Sequence, residues 1–326
     1  MTASAPLVEV WRGNLLESLH RGHAVICDSH GIVEAWGDPQ AVIYPRSSCK
    51  MMQALPLVES GAADGLSTER LALACASHQG APVHTGMVSA WLAEMGMSDD
   101  DLLCGTEVAR DAATRDAMIV EGAAPCQAHN NCSGKHAGFL ALTRHLRAGA
   151  DYVDPAHPVQ TAVRAAFEDL TQQDSPGYGI DGCSAPNFAT TVEGLARAMA
   201  AFAAPGGGVR GAAMTRLEQA MRAHPVLVAG EERACTELMQ AMDGNVAIKT
   251  GAEGVFVAIW PERGLGLALK IEDGATRASE CAVAALLSRM GALDPAHPAA
   301  LRRREPPILN RAGLEVGRIQ PAPALA

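Results

Sequence analysis

The sequence predicts an α/β (α+β) fold: an antiparallel sheet built from both ends of the chain, helices packed on it, and a mostly helical lobe inserted between the two ends. Three observations predict it. Strand-like segments crowd the first 45 residues, they return only after residue 244, and the stretch between them has helical periodicity broken by Gly- and Pro-rich turns. With 326 residues, 48% of them hydrophobic, the chain has ample material for a core. No linker divides it, so residues 1–326 read as a single unit. Its sheet part covers about 1–45 plus 245–292, its helical part about 46–244, and a Pro- and Ala-rich tail covers 294–326, expected to be an extended wrap or a partly ordered end.

Element by element, LVEVWRG (7–13), GHAVICD (22–28) and GIVEAWG (31–37) alternate as strands, and Asp28-Ser29-His30-Gly31 marks a hairpin turn. After Pro45 the period becomes helical: Ser47 to Glu59, a capped start at Ser67 leading through Cys75, then His84 to Met95. Helices follow at His136 to Ala148, Pro158 to Leu170, Thr190 to Ala203, Ala212 to Ala223 and Glu231 to Met242. NVAIKTG (245–251), GVFVAIW (254–260) and GLALKIE (266–272) form a predicted meander, closed by a helix from Thr276 to Met290.

Composition excludes several functions. A net charge of −10, with no basic run beyond Arg302 to Arg304, lacks the footprint of a nucleic-acid or anionic-membrane binder, so a small-molecule partner is expected. No apolar run reaches the roughly 18 residues of a membrane span, and the opening residues lack a signal-peptide pattern, which leads to the expectation of a cytoplasmic protein. Nine scattered cysteines argue against a disulfide framework.

The chain has only four lysines, Lys50, Lys135, Lys249 and Lys270, against arginine at every other basic position. Arginine cannot replace a lysine whose amine must lose its proton, so these four are suspects for chemistry. In Ser47-Ser48-Cys49-Lys50, Ser47 and Lys50 share a face at helical spacing and Ser48 does not. A lysine amine whose pKa is shifted down from about 10.4 can deprotonate such a serine without a histidine. Taken alone, Ser47 reads more readily as a helix cap. It is joined, however, by Lys249-Thr250-Gly251 on a late strand, the layout of serine penicillin-recognising enzymes and β-lactamases. Ser77-His78 after a helix takes the place of the missing Ser-Asp-Asn element, its competing reading being a histidine at a helix C-terminus. Cys132 and Cys183 sit in polar, Gly-rich turns near His129 and His136, a chemistry able to bind zinc, although a packed turn with two buried thiols explains the same pattern.

Together PRSSCKMMQ (45–53), CASHQG (75–80), HNNCSGKHAGFLAL (129–142), DGCSAP (181–186), HPVLVAGEERACTELM (224–239) and KTGAEG (249–254) resemble the rhizobial-type (class 3) L-asparaginases, a family similar in fold to serine β-lactamases and glutaminases. The resemblance implies two Ser–Lys pairs, Ser47 with Lys50 and Ser77 with Lys249, beside one zinc ion per chain held by Cys132, Lys135 and Cys183. It places Arg46, His136 and Asp181 around the bound amino acid, Arg46 and Asp181 being suited to its carboxylate and ammonium groups. Lys270 is left as a strand lysine at the sheet rim.

The function this implies is hydrolysis of L-asparagine to L-aspartate and ammonia through a serine acyl-enzyme, with zinc assisting rather than generating the nucleophile, in a homodimer. The rivals are a glutaminase, a penicillin-interacting serine hydrolase of the same fold, and a zinc-stabilised binding protein without catalysis.

Overall fold

A computed structural model describes residues 3–325. The chain is a mixed structure of helices and antiparallel strands, as its sequence predicts. It divides into two compact units, one of residues up to 48, 190–204 and from 237 on, the other of 49–189 and 205–236.

The strands are β1 (Ala5–Arg12), β2 (Leu15–Asp28), β3 (Gly31–Trp36), β4 (Val42–Ile43), β5 (Tyr178–Ile180), β6 (Pro186–Phe188), β7 (Thr190–Thr191), β8 (Ala247–Gly251), β9 (Val255–Trp260), β10 (Leu265–Ile271), β11 (Pro307–Leu309) and β12 (Glu315–Pro321). In the first unit, eight of these form one antiparallel sheet ordered β11-β12-β1-β2-β10-β9-β8, with β3 also paired to β2. The two chain ends thus share one sheet: β2 pairs with β10 from Gly22 against Ile271 to Cys27 against Gly266.

Three features differ from the sequence reading. First, β2 runs seven residues further toward the N-terminus than its apolar block, because residues 15–21 pair with β1 around a turn at Gly13 while their leucines stay exposed. Second, the residues after Asp294 are built into the sheet unit: Pro298–Arg304 is a helix, and β12 pairs with β1 from Val8 against Pro321 to Arg12 against Gly317. The basic run there is neutralised, Arg302 and Arg303 bonding Glu237, and Arg303 also Glu280 at 2.8 Å. Third, the helix Val192–Ala203 belongs to the sheet unit, packed on β10, β2 and β9. Gly266 makes this approach possible, since a Cβ there would collide with the helix backbone at Met199 and Ala200. The helix Thr276–Arg289 also packs on the sheet, and β9 is buried at every position.

The second unit is helical, with the short β5–β6 hairpin beside it in the chain fold. Helix Thr68–Ala74 packs on Gly208–Ala223 and on Ser133–Leu146, the last of which buries ten residues. The predicted helix Ser47 to Glu59 is in fact three turns in succession: a 3₁₀ turn Arg46–Cys49, then Lys50–Gln53 and Leu55–Glu59. Pro56 supplies no N–H and so starts the last piece instead of continuing the one before. No helix among the described residues is long and apolar enough to cross a membrane.

Candidate active site

In the sheet unit, the site residues begin at Arg46, which holds a left-handed backbone (φ 53°), a conformation rare for a residue with a side chain. It opens the 3₁₀ turn that carries Ser47 and Ser48. The two serines are set apart by their surroundings: Ser48 is fully buried and donates to the Pro45 carbonyl at 2.7 Å, whereas Ser47 is half-buried. Edge strand β8 runs against this turn at Gly251, where a Cβ would lie 2.6 Å from the Pro45 oxygen and 3.1 Å from the Ser48 nitrogen. Only a residue without a side chain lets strand and turn come this close. Two residues earlier on β8, Lys249 is 1% exposed and its Nζ donates to the Thr250 carbonyl at 2.8 Å. Lys270 stands apart as a half-buried strand lysine bonded to the carbonyls of Glu253 and Ile271, both at 2.6 Å.

In the helical unit, Lys50 follows Ser47 by three residues, so continuous turns join the two elements that carry them. Lys50 is 1% exposed, and its Nζ donates to the carbonyl of Ala76 and, at 3.4 Å, to that of Asn131. It also hydrogen-bonds the sulfur of Cys132. Ser77 follows directly on Ala76, its backbone N–H held by the Val228 carbonyl at 2.9 Å.

Cys132, Lys135 and Cys183 come together within this unit, all buried. The Lys135 Nζ lies 3.0 Å from the Cys183 Sγ, and the two sulfurs are themselves hydrogen-bonded. The bond from Cys183 holds Cys132 well below the ordinary thiol range, burial opposing and the nearby Lys50 and Lys135 amines assisting. Cys183 is pushed well above that range by the same bond and by burial. Burial disfavours the Lys135 ammonium, but the two sulfurs outweigh it and raise its pKa. No cluster of three His, Cys, Asp or Glu side chains suited to a metal occurs among the described residues. The third donor here is a lysine, and two sulfurs with one amine are a donor set that fits zinc once their protons are lost.

The turn before Cys132 is built by residues to which the sequence reading gave no role. Asn130 Oδ1 accepts from the Cys132 N–H at 2.9 Å, while its Nδ2 donates to the carbonyls of Cys104 and Gly105 at 3.0 and 3.1 Å. Glu107 accepts from the Asn131 backbone at 2.9 Å and from its side chain at 3.0 Å. Neither partner stretch carries a motif, so only the fold reveals them. His129 turns away to accept from the Cys126 N–H at 3.1 Å. His78 is not a solvent-facing helix end: it is buried, stacks on His84 at 4.8 Å, and bonds Ser133 at 2.9 Å. Burial, helped by the neighbouring His84 and Lys50, lowers its pKa well below the usual histidine value. His136 is fully buried, with Nδ1 2.9 Å from the Tyr152 hydroxyl. Asp181 is half-buried in a tight turn closed by the left-handed Ser184 (φ 68°), its Oδ1 accepting from the Gly182 N–H at 2.8 Å.

Among solved structures, a β-lactamase from Mycobacterium bovis is similar at 12% identity, covering 82% of this chain and 94% of that one, with a TM-score of 0.44. A protein called Mglu in its native form is similar at 15% identity, covering 86% of this chain and 66% of that one, also with a TM-score of 0.44. No curated protein matches the sequence. The family model described as L-asparaginase II matches residues 8–321, nearly the whole length, and the chain belongs to that family.

Proposed function

We propose that the protein hydrolyses the side-chain amide of L-asparagine, with Ser47 as nucleophile and Lys50 as its base. Within an asparaginase family, the observation that carries this reading is Lys50 itself: a buried lysine three residues after a half-buried serine, with two of its N–H groups directed to the Ala76 and Asn131 carbonyls. A neutral lysine amine carries a lone pair that can take a serine hydroxyl proton. Lys50 takes the hydroxyl proton, Ser47 Oγ bonds the carboxamide carbon, and backbone N–H groups stabilise the oxyanion. Ser77 and Lys249 relay a proton to the nitrogen as the C–N bond breaks, ammonia leaves, and water cleaves the resulting ester to give L-aspartate. Arg46 and Asp181 orient the substrate's carboxylate and ammonium groups.

Cys132, Lys135 and Cys183 would hold one zinc ion, which as a Lewis acid orders and polarises the polar groups near it. The same reading has the protein act in the cytoplasm, as a homodimer.

Ammonia release from L-asparagine and L-glutamine, measured side by side, tests the reading. A preference for asparagine on the order of a hundredfold is expected, because one extra methylene moves the reacting carbonyl by about 1 Å or more. Comparable kcat/KM values would favour a glutaminase, and β-lactam opening with neither amide consumed would overturn both.

A further inference from the structure

The imidazole of His136 presents a problem of hydrogen-bond accounting that its own helix does not solve. The ring is fully buried, and its Nε2 has no partner among the described residues. Its other nitrogen, Nδ1, meets the hydroxyl of Tyr152 at 2.9 Å. That hydroxyl makes two contacts. It accepts the backbone N–H of Leu103 at 2.7 Å, and its single hydrogen has one acceptor in reach, Nδ1. A ring that accepts at Nδ1 carries its own hydrogen at Nε2. The hydroxyl is in turn held in place, because Tyr152 is completely buried and its carbonyl accepts from the Gln160 side chain at 2.8 Å.

The surroundings say what kind of group this buried N–H awaits. His136 adjoins Lys135 in sequence, and both pack on Phe139, the imidazole edge-on at 5.7 Å between centroids and the Lys135 amine at 5.3 Å from the ring centre. A buried donor needs an acceptor, and in native proteins a group left unpaired in this way calls for a ligand, a water or an ion. An asparagine or aspartate offers carboxylate and carboxamide oxygens of that kind.

We propose that Tyr152 is a positioning residue: by giving its hydroxyl hydrogen to Nδ1, it fixes His136 as the Nε2–H tautomer and reserves that N–H for an oxygen of the bound amino acid. Identifying the ligand rests on the proposed asparaginase reading; the tautomer does not. Tyr152 itself never touches substrate. It acts through His136, and the Leu103 N–H already occupies one acceptor site of the hydroxyl.

The full-length protein labelled with ¹⁵N-histidine, in the metal state in which it is purified, tests both halves by NMR, the His136 signals being identified by their loss in His136→Gln. The expected ligand-free spectrum shows an Nδ1 without a bonded hydrogen and an Nε2–H, and saturating L-aspartate shifts the Nε2–H resonance. In Tyr152→Phe the ring should become a tautomer mixture, and kcat/KM for asparagine should fall about tenfold, as for loss of one hydrogen bond to substrate. A hydrogen on Nδ1 of the unaltered protein would overturn the proposal, and this measurement stands even if Tyr152→Phe does not fold. An Nε2–H that ignores L-aspartate but shifts on zinc chelation would assign it to a metal-bound water and overturn the substrate half. An Nε2–H tautomer in a protein that consumes no asparagine would refute the proposed function while upholding the hold of Tyr152 on the ring.

Discussion

The amine of Lys135 donates to the sulfur of Cys183 across 3.0 Å, joining residues 48 positions apart in the chain. With Cys132 bonded to the same sulfur, two sulfurs and one amine share one buried spot. Protein purified without added metal is expected to carry one zinc per chain by elemental analysis, and the double substitution Cys132→Ser with Cys183→Ser should remove it. Zinc retained by the double variant would place the metal elsewhere.

The adjacent serines should separate cleanly. Ser47→Ala is expected to abolish ammonia release with little change in melting temperature. Ser48→Ala removes a buried hydrogen bond to the Pro45 carbonyl and should cost about 1 kcal/mol of stability while leaving acylation chemistry in place. A covalent adduct still formed by Ser47→Ala would reverse the assignment of the nucleophile.

Lys50→Arg should be nearly as inactive as Lys50→Ala. A guanidinium does not act as a base at neutral pH, and its plane would have to replace a buried amine fitted to the Ala76 and Asn131 carbonyls. Steady-state rates of the two variants, beside thermal melts that confirm folding, decide the point. Appreciable turnover by the arginine variant would remove Lys50 from the role of base.

Much of the fold was legible because its sheet strands bury apolar residues in short blocks between turn residues; β8, β9 and β10 follow the predicted meander to within a residue or two. The first half of β2 was not legible, since it pairs with its leucines exposed and so lacks a buried face to set a period. The strands after Asp294 were hidden for a related reason: β12 has only alternate positions buried, amid Pro- and Gly-containing sequence. For the site, the scarcity of lysine singled out Lys50 and Lys135, and the family resemblance joined Lys135 to Cys132 and Cys183, which the fold buries together. Asn130 lay within the quoted 129–142 motif but received no role, and Glu107 and Tyr152 escaped notice, because they bond backbone groups or a distant ring and so leave no spacing pattern.

A methyl group at Gly251 would press on the Pro45 carbonyl and the Ser48 amide, 2.6 and 3.1 Å from its carbon. Gly251→Ala should therefore displace the 3₁₀ turn that carries Ser47 while leaving the rest of the sheet intact. A displacement of about 1 Å implies a loss in kcat on the order of a hundredfold. A folded Gly251→Ala with unaltered kcat would show that the turn tolerates movement.

Stability should fall on mild acidification. Burial lowers the pKa of both His78 and His84 from the ordinary value of 6.5, so on acidification these rings take up protons less readily in the folded protein than in the unfolded chain. Because the unfolded state then binds more protons, stability is complete above pH 6.5 and declines as pH drops below it. Stability should therefore be lower at pH 5.5 than at pH 6.5. Denaturant titrations at the two pH values, repeated on His84→Asn, check both the sign and the share of one ring. Equal stability at both would mean that the pair is protonated in the folded state.

The pairing of β12 with β1 joins residues 315–321 to residues 5–12. A ribosome must therefore have passed residue 317 before β1 gains its second neighbour. Until then β1 presents an unpaired edge, the kind of surface on which nascent chains associate with one another. A large share of contacts between distant parts of the chain also slows the final assembly. Losses on overexpression should thus arise during synthesis, from chains that lack β12, and fall when translation is slowed or chaperones are supplied.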